Sequence, residues 1–400
     1  MNGKFRIRQV LPAMLLSAAL IVVLDLLTNS LDISKYSWDF RYYIAMARDG
    51  FNTTYLASPL AYRYLTPLLV YGLTHAFGIS IESGFRWMAY LGAFAQLTGV
   101  FLFTAWFTRS VKGAYIALLI TAFSLFNVKF LLFDVYRPDH LAYALILLQT
   151  YLAFERKFIP LLVTTLIASQ VREFNLIPLI AYLFSFAPQK DRPVFLREGL
   201  ISAISLTLMI GLPRLLIPVR ENFQFVELSR NGLLMVVVAP FLPERDLIFL
   251  YSLAAYLLPL LVLAGPSQIG RTFASLNSEV KSFLVVYIAL VLILSFYGGT
   301  DFSRFSTYLF LPQAILLGLI SRTASNLKLA LTAFATFLFN RIWLPFPMQD
   351  VGKYLDFYGG FALRFNADNL WRMLECLAFI LSGFIIRRFL PEAGASRPAG

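Results

Sequence analysis

Apolar stretches long enough to cross a bilayer recur along this chain from one end to the other. They run near 10–28, 86–107, 113–132, 140–154, 158–171, 174–188, 198–218, 247–264, 282–297, 306–320, 327–345 and 371–386. The hydrocarbon core of a bilayer is about 30 Å thick and takes about 20 helical residues, fewer or more with bending and tilt. Inside it every backbone N–H and C=O must be satisfied within its own segment, so helices are the only open-ended solution. The sequence therefore predicts an all-α, polytopic transmembrane helical bundle with about twelve spans, between about ten and thirteen. Residues 1–390 form a single transmembrane domain in this reading, and the Gly-, Ala- and Pro-rich tail 391–400 is expected to be disordered and cytoplasmic.

Composition agrees: 59% of residues are hydrophobic and only 14% charged, which excludes a large water-soluble core. The net charge of +12 could advertise a nucleic-acid partner. No run of Lys and Arg interleaved with aromatics is present, however, so nucleic acid is not an expected partner and the charge reads as membrane topology. The one cysteine, Cys376, offers no disulfide and no Cys-based zinc site. Lys4, Arg6 and Arg8 before the apolar run Val10 to Leu27 have signal-peptide polarity without a small-residue cleavage site, so a retained signal-anchor helix is expected.

Orientation turns on the stretch 59–77, which is apolar but carries Arg63 and, at Pro67, a residue expected to break an interior helical turn. If it lies flat, the short connectors hold 17 basic and 5 acidic residues, while the remaining 17 basic and 17 acidic residues balance on the other side. Basic residues in short loops stay cytoplasmic. The expected arrangement is a multi-pass protein of the plasma or inner membrane with both termini cytoplasmic. Its first outer loop, 29–85, holds interfacial helices, and its second covers 133–139. A loop as long as the first is uncommon unless it is functional.

The charged groups that carry no topology signal then fall on the outer face: Asp39, Arg63, Asp134, Arg137, Asp139, Arg172, Glu173, Arg214, Arg220, Asp301 and Arg304. Ionisable groups at membrane depth face a cavity and pair with one another or with a ligand. Asp39 stands among aromatics in Tyr36-Ser-Trp-Asp39-Phe-Arg41-Tyr42-Tyr43, a setting expected to raise its pKa and to suit a general base. The plainer alternatives are an aromatic belt with Asp39 paired to Arg41, or Asp39 capping a short surface helix. Asp139 fits the first turn of a helix. Asp134 ends one, where the dipole opposes negative charge, so a cation such as Arg137 or a bound group should compensate it. With His75 and His140 the only histidines, a His-based metal site is not expected. The arginines Arg63, Arg137, Arg172, Arg214 and Arg304 lie on separate outer segments. A planar guanidinium suits bidentate binding of phosphate, and the alternative for each is a snorkelling helix anchor. Tyr62 adjoins Arg63 and is a further candidate. No GxxxxGK[ST], HExxH, GxSxG or dinucleotide glycine fingerprint is present.

In layout the sequence resembles the GT-C superfamily of polytopic glycosyltransferases, which use polyprenyl-phosphate-linked sugars as donors. Trp38-Asp39 followed by Tyr42-Tyr43-Ile-Ala-Met-Ala is similar to the catalytic acidic site of their long first outer loop, and Asp134-Val-Tyr-Arg137-Pro-Asp139 to the second acidic site. Ser58-Pro59-Leu60-Ala-Tyr62-Arg63-Tyr64-Leu-Thr-Pro67, then Phe77-Gly78-Ile-Ser80 and Arg86, is similar to the proline-containing interfacial segment before their second span. The likeness covers about residues 10–175. It implies inverting transfer of one sugar from a polyprenyl-phosphate donor to a hydroxyl of a lipid-linked or cell-surface glycan acceptor. Asp39 would be the base, Asp134 and Asp139 would orient the acceptor or hold the arginines, and Arg63, Arg137, Arg172 and Arg304 would grip the donor phosphate. Asp39 has no adjacent acidic partner, so no cofactor is expected and a divalent metal has no support in the sequence. Two other classes remain open. A lipid-linked glycan flippase or other transporter would show duplicated halves and midplane charges. A polysaccharide polymerase or ligase would use a diphosphate donor and need no base after the first span.

Overall fold

The computed structural model describes residues 7–34, 39–53, 56–186, 191–219, 221–222, 241, 243–297, 302–344 and 367–389. Lys4, Arg6, Tyr36, Trp38, Arg220, Asp301 and the tail 391–400 lie outside them. The architecture is helical, in chain order α1 (Ile7–Leu26), α2 (Phe40–Asp49), α3 (Leu65–Phe77), α4 (Ile81–Thr108), α5 (Val111–Ala122), α6 (Lys129–Phe133), α7 (Asp139–Phe154), α8 (Phe158–Ser169), α9 (Ile177–Ser185) and α10 (Arg192–Leu216). Then follow α11 (Pro243–Leu263), α12 (Pro266–Ala274), α13 (Ser278–Tyr297), α14 (Phe302–Phe305), α15 (Phe310–Ile320), α16 (Asn326–Phe339) and α17 (Ala367–Phe389). The extended structure among the described residues is a parallel pair of two-residue strands, β1 (Ala57–Ser58) and β2 (Glu221–Asn222), which ties the first loop to the segment after α10.

Among the described residues, four helical segments are long and apolar enough to cross a membrane: Gln9–Leu26 in α1, then α4, α10 and α13. A fifth is added if Ser252–Leu263 and α12, bent by 93° at a short break, count as one span. Most of the other expected stretches hold shorter or interrupted helices, while 371–386 lies within the 23-residue α17. The stretch 113–132 divides into α5 and α6 around a turn containing Asn127. In 174–188 the helix α9 is preceded by the 3-10 turn Glu173–Leu176. Buried polar side chains account for the first of these breaks: Asn127 receives the amide of Gln96 at 3.0 Å, and Lys129, with no exposed surface, donates to the carbonyl of Ile342 at 2.7 Å and to that of Leu344.

The stretch 59–77 contains α3, whose 13 residues span about 20 Å at 1.5 Å per residue, short of a bilayer core. Pro67 sits in its first turn, where no intrahelical N–H is needed, and so begins the helix rather than breaking it. Gly78 closes α3 in the left-handed region at φ 65°, with its N–H on Thr74. Ser80 then caps α4 by accepting the N–H of Ser83 at 3.1 Å.

Helix α4 is the spine, packing against α1, α3, α5, α7 and α15. Tyr90 on α4 donates to Asp25 on α1 at 2.8 Å. Gly92 lets the start of α7 come within reach, since a Cβ there would lie 2.5 Å from the His140 Cβ and 2.9 Å from its backbone carbon. At one end of the bundle Arg156 meets Glu279 and Lys112 donates to the carbonyl of Ala324. Helices α4, α7 and α9 begin at the opposite end, where α8 and α10 finish, and there Asp39, Arg63, Asp134, Arg137, Asp139, Arg172, Glu173, Arg214 and Arg304 gather.

Candidate functional site

The site is assembled from ionic contacts between segments far apart in sequence. Asp39 precedes α2 with helical φ and ψ (−57°, −20°), and its side chain makes no capping bond; its carbonyl instead accepts the N–H of Tyr42 at 3.1 Å. The Asp39 carboxylate turns to Arg137, whose Nη1 lies 2.9 Å from Oδ2. The same guanidinium donates through Nε to Asp134 Oδ2 at 2.6 Å. Arg137 therefore supplies the cation that a carboxylate ending α6 requires. The two carboxylates are unequal: the side chain of Asp39 is 46% exposed and that of Asp134 is 0% exposed.

Arg63 donates Nε to both oxygens of Glu173, at 3.0 and 3.1 Å, fastening the turn before α3 to the turn before α9. Arg172 and Arg304 converge on Asp139, with Nε atoms 3.2 and 3.9 Å from its two oxygens. Both guanidiniums lie against Phe305, at 5.4 and 5.2 Å from its ring centre. Phe305 stacks on Phe174, and Phe174 on Tyr308 at 4.4 Å. Among the described residues, Arg63, Arg137, Arg172 and Arg304 thus face Asp39, Asp134, Asp139 and Glu173, and the cluster as a whole is neutral. Each of the four arginines proposed for phosphate from sequence already has a carboxylate against it, so an anion can enter only as a carboxylate yields.

The expected rise in the Asp39 pKa is not found. Burial does push the carboxyl up, but the guanidiniums of Arg137, Arg304 and Arg63 outweigh it and hold Asp39 below the usual carboxylate range. The reason is that aromatic neighbours were legible in the sequence, whereas the cations lie 98 and more positions away along the chain for Arg137 and Arg304. Asp39 is consequently ionised at neutral pH. Arg137 is held well above the usual guanidinium range, Asp134 and Asp39 outweighing its burial.

Arg214, in the last turn of α10, stands apart from the neutral cluster. Its guanidinium lies 4.5 Å from the ring centre of Tyr62 and its Nη1 donates to the carbonyl of Ile210 at 2.8 Å. Between α8 and α10 is a cavity of about 260 Å³ with Tyr62, Gln170, Glu173 and Arg214 at its polar side. His140 is buried with Nε2 2.9 Å from the carbonyl oxygen of Leu131, and His75 sits exposed on α3. No group of three His, Cys, Asp or Glu side chains that could hold a metal occurs among the described residues.

Sequence reasoning passed over Tyr43 and Lys129. Tyr43 is fully buried and close to both Arg63 and Arg137, and its place four residues after Asp39 on a helix was the available signal. A single lysine inside the apolar run 113–132 was the signal for Lys129. No family model, no curated protein and no solved structure matches this chain.

Proposed function

We propose that the chain is an integral membrane glycosyltransferase. It would move one sugar, with inversion, from a polyprenyl-phosphate donor to a hydroxyl of a lipid-linked or cell-surface glycan. In this reading the bundle makes about twelve passes, several of them broken, with the GT-C-like site on the non-cytoplasmic face. The observation that supports it best is the convergence of Asp39 and Asp134 on the one guanidinium of Arg137. Two acidic segments are joined there, and the carboxylate from the first keeps an open, ionised side.

The chemistry follows from that inequality. The acceptor hydroxyl approaches the open side of Asp39, which takes its proton as the oxygen bonds to the anomeric carbon. The bond from that carbon to the phosphate oxygen breaks, and its electron pair leaves with the lipid phosphate. As the phosphate gains charge, Arg137, Arg63 and Arg304 are the cations placed to stabilise it, and Asp39 loses its negative charge at the same moment. The guanidiniums that Asp39 had balanced are thereby released toward the phosphate.

The test is Asp39→Asn in protein reconstituted in nanodiscs and offered a panel of polyprenyl-phosphate sugars. Wild type should consume a donor, and the variant should not while remaining folded. An active Asp39→Asn protein would sink the assignment. If wild type consumes no donor yet scrambles labelled lipid in liposomes, transport replaces transfer.

A further inference from the structure

At the end of the bundle away from the ion-pair cluster, α11 stops at Leu263 and the chain turns by 93° through Gly265 into α12. In α12, Ile269 and Phe273 lie one turn apart and pack into the apolar cluster of Ile116 and Ile120 on α5 and Leu317 and Ile320 on α15. Arg271, two residues from each, is exposed on the opposite side. A helix set at a right angle to one that runs along the bundle lies across the bundle end, at the level of lipid headgroups when α11 spans. Helix α17 comes up beside this turn. A Cβ on Gly383 would lie 3.0 Å from the Val262 Cα, so α17 and α11 are in close contact there, and one helical turn later Arg387 stands over Gly265. Its Nη1 is 2.9 Å from where a Gly265 Cβ would be, so the missing side chain is what leaves room for the guanidinium. Arg387 Nε donates to the Gly383 carbonyl at 3.2 Å, and its guanidinium lies 4.3 Å from the ring centre of Phe384.

We infer that this turn seats the headgroup of an anionic phospholipid of the surrounding membrane, with Arg387 on its phosphodiester and α12 laid in the headgroup layer. A planar guanidinium forks onto phosphate oxygens. Charge selects the lipid. Arg271, Arg322, Arg387 and Arg388 meet no carboxylate among the described residues, and Glu279, at the start of α13, is already held by Arg156. Each basic group near the surface strengthens the attraction for an anionic headgroup about fivefold. A zwitterionic headgroup with an ammonium brings a cation into the same field and gains less. The turn is at the opposite end from Asp39 and Arg137, so this lipid takes no part in the proposed transfer and would be held equally by a transporter.

Binding is measured on the full chain in nanodiscs of phosphatidylcholine by native mass spectrometry. The probes are phosphatidylglycerol, phosphatidylethanolamine and inorganic phosphate. Phosphatidylglycerol should bind at least about fivefold better than phosphatidylethanolamine. Arg387→Gln should lose about fivefold for phosphatidylglycerol, and Arg387→Gln/Arg271→Gln about twentyfold, with little change for phosphatidylethanolamine. Gly265→Ala sets a methyl against the tip of Arg387, which can swing away, and should weaken phosphatidylglycerol binding with the melting curve unchanged. Arg192→Gln removes the same charge at the same end, but on α10, which packs on α8 and α9, and should bind like wild type. The inference is overturned if Arg387→Gln and Gly265→Ala both bind like wild type, or if Arg192→Gln loses as much as Arg387→Gln. It is overturned equally if the two lipids bind alike, or if inorganic phosphate displaces phosphatidylglycerol.

Discussion

Replacing Arg137 with glutamine removes the cation shared by a buried and a half-exposed carboxylate, and the structure apportions the loss between them. Asp134 has no exposed side-chain surface and sits 2.6 Å from Arg137. Leaving such a carboxylate unpaired costs about 3–5 kcal/mol. The Asp39 arm is different, because a pair that is 46% exposed on one side is screened and contributes at most about 1 kcal/mol. Arg137→Gln should therefore lower the unfolding free energy by about 3–5 kcal/mol, nearly all of it through Asp134. In the double variant Arg137→Gln/Asp134→Asn no charge is stranded, and an amide pair of similar shape remains. It should recover to within about 1–2 kcal/mol of wild type, and so be at least about 1 kcal/mol more stable than Arg137→Gln alone. The assay is SDS-induced unfolding of purified protein in mixed micelles, followed by tryptophan fluorescence, on wild type, both single variants and the double. If Arg137→Gln costs under about 1 kcal/mol, or the double is no more stable than that single, Asp134 is not the residue that depends on Arg137 and the asymmetry is wrong.

The same unfolding measurement should find Asp39→Asn within about 1 kcal/mol of wild type, because Arg137 keeps Asp134, while donor consumption is lost. Asp39 is held below the usual carboxylate range, so the acid limb of transfer should lie below that range. Its contribution to stability has the same sign: present above the unfolded-state carboxylate pKa and lost as pH falls through the depressed folded value. A rate profile with its acid limb near neutrality would assign the base elsewhere. Gly92→Ala sets a methyl 2.5 and 2.9 Å from His140 Cβ and backbone carbon, and should cost about 1–3 kcal/mol and displace Asp139 at the start of α7. Gly99→Ala meets only the flexible tip of Leu147 at 3.0 Å and should cost clearly less in the same titration.

Several parts of this arrangement were legible along the chain. Apolar run length predicted a helical bundle, and the dipole at the end of α6 called for a cation that Arg137, three residues after Asp134, supplies. Local chemistry failed where the answer depended on packing. Run length cannot reveal that Asn127 and Lys129 bend 113–132 by bonding to Gln96 and to the 342–344 carbonyls, because those partners are remote in sequence. Pro67 read as a helix breaker because nothing local marked Leu65 as the first residue of its helix.

What the sequence by itself determined is the inventory: apolar segments that must be helical, and acidic groups and arginines gathered near the ends of those segments. Those features follow from backbone hydrogen bonding and the cost of burying charge, which act residue by residue. What only the tertiary structure decided is the pairing. Arg63 meets Glu173 across 110 positions and Arg304 reaches Asp139, while Arg214 lies beside a cavity against the ring of Tyr62. Which guanidinium meets which carboxylate is set by the rotation and depth of whole helices against one another, and that same packing turned the expected rise in the Asp39 pKa into a fall.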